Sequence, residues 1–107
     1  MLELNEIINK IIAFRDRREW ARYHTPKDVA MSLAIEAAEL MELFQWKPSR
    51  EDIDEERLQR IREEVADIAI YLMIFCHDLN IDLYRAIEDK LVMNEEKYPA
   101  ETSKDLW

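Results

Sequence analysis

Glu63-Glu-Val-Ala-Asp-Ile-Ala-Ile-Tyr-Leu-Met-Ile-Phe-Cys76 is the stretch that decides the fold. Between Val65 and Cys76 the only charge is Asp67, and no period-two alternation marks a strand. The run is also too short for a bilayer, which takes about 20 residues. It reads as a helix that is apolar on nearly every side, so Asp67 is expected to reach water poorly. Upstream, Val29, Leu33, Glu36, Leu40 and Leu43 follow the four-three spacing of one helical face, and Glu36 stands where a core leucine would be expected. Glu39, one turn on, is rotated from Glu36 by only about 60°, which lets both carboxylates reach one object. Glu64 and Asp67 repeat that acidic spacing on the second helix.

Working outward, helical spacing persists through the chain and predicts an all-α bundle of four helices without strands. The first runs from about Leu2 to Trp20, with Leu4, Ile7, Ile8, Ile11, Ile12 and Phe14 as its buried side and its last turns facing a site. Thr25-Pro26-Lys27-Asp28 starts the second, with Thr25 as N-cap, Pro26 at the first helical position and Asp28 closing a capping box. That helix should reach about Gln45, where Trp46-Lys47-Pro48-Ser49 breaks it. Arg50 to Glu56 is an exposed charged connector with room for a turn of helix, and the third helix spans roughly Glu55 to Leu79. Asn80 can take a left-handed position, Asp82 can cap the fourth helix, and Tyr98-Pro99 ends it before a loose tail. The third helix is apolar on more sides than a small monomer can cover, which predicts burial of helices two and three against another subunit.

At 107 residues, with 49% of them hydrophobic, the chain makes one domain spanning residues 1–107. The formal charge of −9 argues against nonspecific binding to nucleic acid or to an anionic membrane, both of which need a basic face. Without any glycine, neither a P-loop nor a dinucleotide fingerprint can be built. Bound phosphates would have to be held by side chains and ions. Cys76 is the only cysteine, and no amino-terminal segment has the layout of a signal peptide, so the expected location is cytoplasmic.

An unpaired carboxylate taken out of water costs several kcal/mol, and four such costs would exceed a folding margin of about 5–15 kcal/mol. Protonation, basic partners, a solvated cleft or a divalent cation must offset them. All-oxygen donors on two helices suit Mg2+, or Mn2+ as a substitute, better than zinc or copper. The competing reading makes Glu36, Glu39, Glu64 and Asp67 solvated charges, whereas Glu42, Glu55, Glu56 and Glu63 lie off the stripes and read as ordinary surface acids. A ferritin-like di-iron site needs a histidine three residues after a glutamate on two helices. Neither His24 nor His77 has that partner, and His77 reads as structural or exposed. Trp20, Tyr23 and His24 cluster before helix two, Trp46 sits at its end, and Tyr71 lies one turn beyond Asp67. Singly they read as core fillers; together, near a metal site, they suggest a base-stacking pocket. Lys90, Asn94 and Lys97 share one face of helix four, either as a solvated stripe or to neutralise phosphate.

With these residues in place, Trp20-Ala-Arg-Tyr-His24, Glu36-Ala-Ala-Glu-Leu-Met-Glu-Leu-Phe-Gln-Trp46, Glu63-Glu-Val-Ala-Asp-Ile-Ala-Ile-Tyr-Leu72 and Lys90-Leu-Val-Met-Asn-Glu-Glu-Lys-Tyr-Pro99 together extend over most of the chain. The sequence resembles the MazG-like all-α nucleoside triphosphate pyrophosphohydrolases, and within them the dCTP pyrophosphatase branch. The resemblance implies that Glu36, Glu39, Glu64 and Asp67 bind magnesium and that Trp20 to His24, Trp46 and Tyr71 contact the nucleotide. It implies a homodimer or homotetramer with sites between helices of adjacent subunits. The implied reaction is hydrolysis of a (deoxy)nucleoside triphosphate between its α and β phosphates, giving monophosphate and pyrophosphate, in dNTP pool sanitation or control. Glu36 or Glu39 would take the proton of the attacking water. A preference for dCTP goes with the branch, but the chain departs at Ile11 from vertebrate members, which carry a substrate-contacting histidine there. The alternative is a non-enzymatic helical oligomerisation module whose acids meet basic partners.

Overall fold

Each of the last three helices begins at an oxygen-bearing side chain that satisfies an otherwise unpaired N–H. In the computed structural model, which describes residues 3–104, Thr25 Oγ1 accepts the N–H of Asp28 at 3.1 Å and opens α2, Pro26–Glu42. Asp54 accepts from Arg57 at 2.8 Å to open α3, Glu55–Asp78. Asp82 accepts from Arg85 at 3.1 Å to open α4, Leu83–Lys97. The first helix, α1, covers Leu4–Arg17 and is followed by a 3-10 turn at Trp20–Tyr23. Its expected start at Leu2 lies outside the described residues. The order is thus four α-helices, with no strand among the described residues.

Some boundaries differ from those the spacing suggests. After Arg17 the chain turns through Glu19, at φ 55°, so Trp20 belongs to a separate turn. After Glu42 the chain passes through turns that end with Trp46 at φ 68°. The connector before Asp54 holds bends and no helical turn, and its residues are exposed as expected. Asn80, at φ 55°, takes the left-handed position, which asparagine tolerates. Beyond Pro99 the described residues form a turn in which the Thr102 N–H returns to the Pro99 carbonyl at 3.1 Å. The last three residues, 105–107, are outside the described residues.

Packing is dominated by α2 lying along α3, with α1 crossing α3 more lightly and α4 having no interface of comparable extent. One part-buried ion pair joins α1 to α3. Arg15, 7% exposed, places Nη1 3.0 and 2.8 Å from the two Asp78 carboxylate oxygens. On α1, Leu4, Ile7, Ile8, Ile11 and Ile12 are half-buried, but Phe14 is exposed. It stacks edge-on against Trp20, with Arg18 over its ring. This corrects the assignment of Phe14 to the buried side: Phe14 serves the turn rather than the helix interface.

Among the described residues only Val29, Ile74 and Cys76 are buried apolar side chains. Val65, Ile70, Ile87, Leu91 and Val92 remain exposed. The radius of gyration, 17.1 Å, exceeds the roughly 13 Å of a compact chain this long. A single chain therefore leaves a large apolar surface uncovered, most of all along α4 rather than along helices two and three, where the apolar spacing placed it.

Candidate active site

The stripe on α2 folds as its spacing dictates: Val29 is buried, and Leu33, Glu36, Leu40 and Leu43 are half-buried against α3. Glu36 is thereby carried into the interface between the two helices. From α3, Glu64 and Asp67 meet it, and one oxygen from each of Glu36, Glu64 and Asp67 lies within 4.8 Å of the others. Glu39 is exposed, adjacent to Glu36, and outside that triad.

Asp67 corrects the sequence reading. It is exposed rather than shut away from water, because Val65 and Ile70 around it are themselves open in the single chain. Helical period identifies an apolar surface but not whether a neighbour covers it.

The electrostatics of the cluster follow from burial and like charge. Desolvation first, then the proximity of the Glu64 and Glu39 carboxyls and the charges of Glu39 and Asp67, push the Glu36 carboxyl up from 4.5 to about 7. Glu36 Oε2 and Glu64 Oε2 are both buried without a hydrogen-bond partner. Two ionised carboxylates are both acceptors and cannot bond each other, so a proton or a cation must lie between them. No lysine or arginine makes an ion pair with Glu36, Glu39, Glu64 or Asp67 among the described residues. Orphaned acceptors, convergent oxygens and the absence of a basic partner fit a hard divalent cation such as Mg2+ or Mn2+. Beside the cluster lies an open cleft of about 360 Å³ lined by Glu39, Glu42, Leu43, Arg60, Glu63 and Glu64.

The expected nucleotide contacts are dispersed. Trp20 and Tyr23 sit exposed on the 3-10 turn, and Arg22 lies over the Tyr23 ring. His24 is half-buried, with Nδ1 buried and unpartnered, and Tyr71 is half-buried on α3. Trp46 is 92% exposed on a left-handed backbone that a bulky residue adopts only at a cost. His77 is exposed. On α4, Lys90 and Lys97 are exposed and Asn94 is half-buried, while Lys97 stands 5.3 Å from the Tyr98 ring. The helix that carries this face, α4, has no extensive interface with α2 or α3.

Two arginines escaped the sequence reading. Arg60 lines the acidic cleft, and Arg57 bridges α2 to α3. A signal for Arg57 was present, since it precedes Glu64 by seven residues and so shares its helical face.

Four α-helices with carboxylates meeting across the α2–α3 interface define an all-α class with an acidic site. Residues 31–106 match the MazG-like family, and the chain belongs to that family. It is 35% identical to dCTP pyrophosphatase 1 of Bos taurus and 33% identical to that of Rattus norvegicus. Each match covers 95 residues, 85% of this chain and 56% of the relative, so the chain spans little more than half the length of these proteins. A crystal structure of a pyrophosphatase from Archaeoglobus fulgidus superposes with a TM-score of 0.78 at 41% identity, covering 92% of this chain and 94% of that one.

Proposed function

We propose that residues 1–107 form a single divalent-metal-dependent pyrophosphohydrolase domain that cleaves (deoxy)nucleoside triphosphates between the α and β phosphates. The observation that carries this reading is the convergence of Glu36, Glu64 and Asp67 within 4.8 Å, with two orphaned buried oxygens and no ion pair to a lysine or arginine among the described residues. The relatives support the substrate class, being named for dCTP, and dCTP is the first substrate to test. Nucleotide-pool control in the cytoplasm is the role this activity would serve.

Glu36, Glu64 and Asp67, with Glu39 at their edge, would hold Mg2+, with Mn2+ as a substitute. Bound there, the cation would offset the triphosphate charge and lower the pKa of a water. Glu39 lies outside the triad and is the carboxylate left to accept the water proton, with Glu36 beside it as the other carboxylate that could do so. The water oxygen bonds to the α phosphorus, the bond from that phosphorus to the bridging oxygen breaks, and the electron pair departs with pyrophosphate. Trp46, held exposed at the end of α2, would stack on the base, with Trp20, Tyr23, His24 and Tyr71 as further contacts. Lys90, Asn94 and Lys97 would reach phosphate from another subunit, because α4 is free to pack there. The uncovered apolar surface supports a homodimer or homotetramer.

The test is a dNTP and NTP panel with product identification. Monophosphate plus pyrophosphate with Mg2+, and no turnover in EDTA, is the expected result. Orthophosphate as the sole phosphate product would refute the reaction.

A further inference from the structure

At the connector end of the α2–α3 interface, Arg57 makes contacts that span three segments. Its backbone N–H is taken by the Asp54 cap at 2.8 Å, and its Nε donates to the Leu43 carbonyl at 2.8 Å. Its Nη1 pairs with Glu51 of the connector, and the guanidinium lies 4.8 Å from the Phe44 ring centre. The Leu43 carbonyl is one of the last groups of α2 left without a partner by helix geometry, so Arg57 caps α2 from the neighbouring helix. The guanidinium is held there even though Nη2 is buried without a partner.

The spacing gives this clamp its meaning. Leu43 follows Glu36 by seven residues, and Arg57 precedes Glu64 by seven. Seven residues are nearly two turns and about 10.5 Å of rise, so each pair lies on one face of its helix. The link from Arg57 to Leu43 and the meeting of Glu36 with Glu64 are therefore two rungs of one antiparallel interface. A slip of one residue between the helices would shift α2 by about 1.5 Å and rotate its side chains by about 100°, taking Glu36 off the shared point.

We propose that Arg57 is a positioning residue that fixes the register of α2 against α3 and so holds Glu36 opposite Glu64. Lysine could not replace it fully, because one ammonium cannot face the Leu43 carbonyl, Glu51 and the Phe44 ring with the planar fork that arginine offers. The inference rests on the metal reading of the cluster.

The test is Mn2+ affinity of the metal-free full chain, read from the free Mn2+ signal in electron paramagnetic resonance. Wild type is compared with R57Q, R57K and D82A, the last removing a helix cap far from the cluster. Groups that orient metal ligands are worth about 10–100-fold in affinity, and R57Q is expected to lose about that much. R57K is expected to fall between R57Q and wild type, and it carries the comparison if R57Q does not fold. D82A is expected to lower thermal stability and leave Mn2+ affinity at the wild-type value. Wild-type affinity in the arginine variants, or a loss in D82A equal to theirs at matched stability, overturns the proposal. Failure of wild type itself to bind Mn2+ is a separate outcome that removes the metal reading and this inference with it.

Discussion

Replacing Glu36 by glutamine should make the metal-free protein more stable, although the residue lies in the helix interface. In the folded chain the carboxyl ionises near 7, against 4.5 when unperturbed. Between those values the native state holds a proton that the unfolded state has released, so the stability of wild type falls as pH rises through the window and is fully present only below about 4.5. A shift of this size corresponds to at most about 3 kcal/mol. Solvent at the open side of the cluster, where Asp67 and Glu39 are exposed, reduces that to about 1–2 kcal/mol. The amide of E36Q removes the charge and gives the neighbouring carboxylates a donor. At pH 8 in EDTA, E36Q should therefore melt above wild type by about 5–10 °C at equal protein concentration. By pH 5 the advantage should shrink to about half. Saturating Mg2+ should reverse the order, because wild type binds it and the variant has lost a ligand. Differential scanning calorimetry at these pH values, with and without Mg2+, checks all three points. An E36Q protein less stable than wild type in EDTA at pH 8, or a difference that ignores pH, would mean that Glu36 has a basic partner and the reasoning is wrong.

The Arg15–Asp78 pair should respond asymmetrically to truncation. Asp78→Ala strands a buried guanidinium, with only Asp16 nearby at 3.4 Å, and should cost about 3 kcal/mol in urea unfolding. Arg15→Met leaves a carboxylate that can reach water and should cost about 1 kcal/mol. Trp46→Ala should leave the melting temperature within about 2 °C, since the side chain is 92% exposed, and raise KM about tenfold through lost stacking. Sedimentation equilibrium should give a mass two or four times that of one chain. Leu91→Glu, on the exposed face of α4, should shift it toward monomer.

What could be read from the sequence was set by local period and capping. Val29, Leu33, Glu36, Leu40 and Leu43 line one interface because a helix imposes that spacing whatever it packs against. Thr25, Asn80 and Asp82 act within a turn of themselves, so their roles were also legible. Relations between distant segments were not. Arg15 and Asp78 are 63 residues apart, and nothing local pairs them. Asp67 lies in an apolar run yet is exposed, because burial depends on the neighbour that packs there and α4 does not. Glu36 and Glu39 share a face, but only Glu36 joins the triad, since a rotation of about 60° separates the interface from its edge. Trp46 shows the limit of turn rules in a chain without glycine, where a bulky residue takes a left-handed backbone after α2.

Anomalous scattering from a crystal of the chain grown with Mn2+ would test most directly whether the carboxylates share a cation. The expected map has a peak between Glu36, Glu64 and Asp67, about 2–2.5 Å from an oxygen of each. A featureless map at that point, with the Glu36 and Glu64 oxygens bonded instead to a lysine or arginine of another subunit, would contradict it.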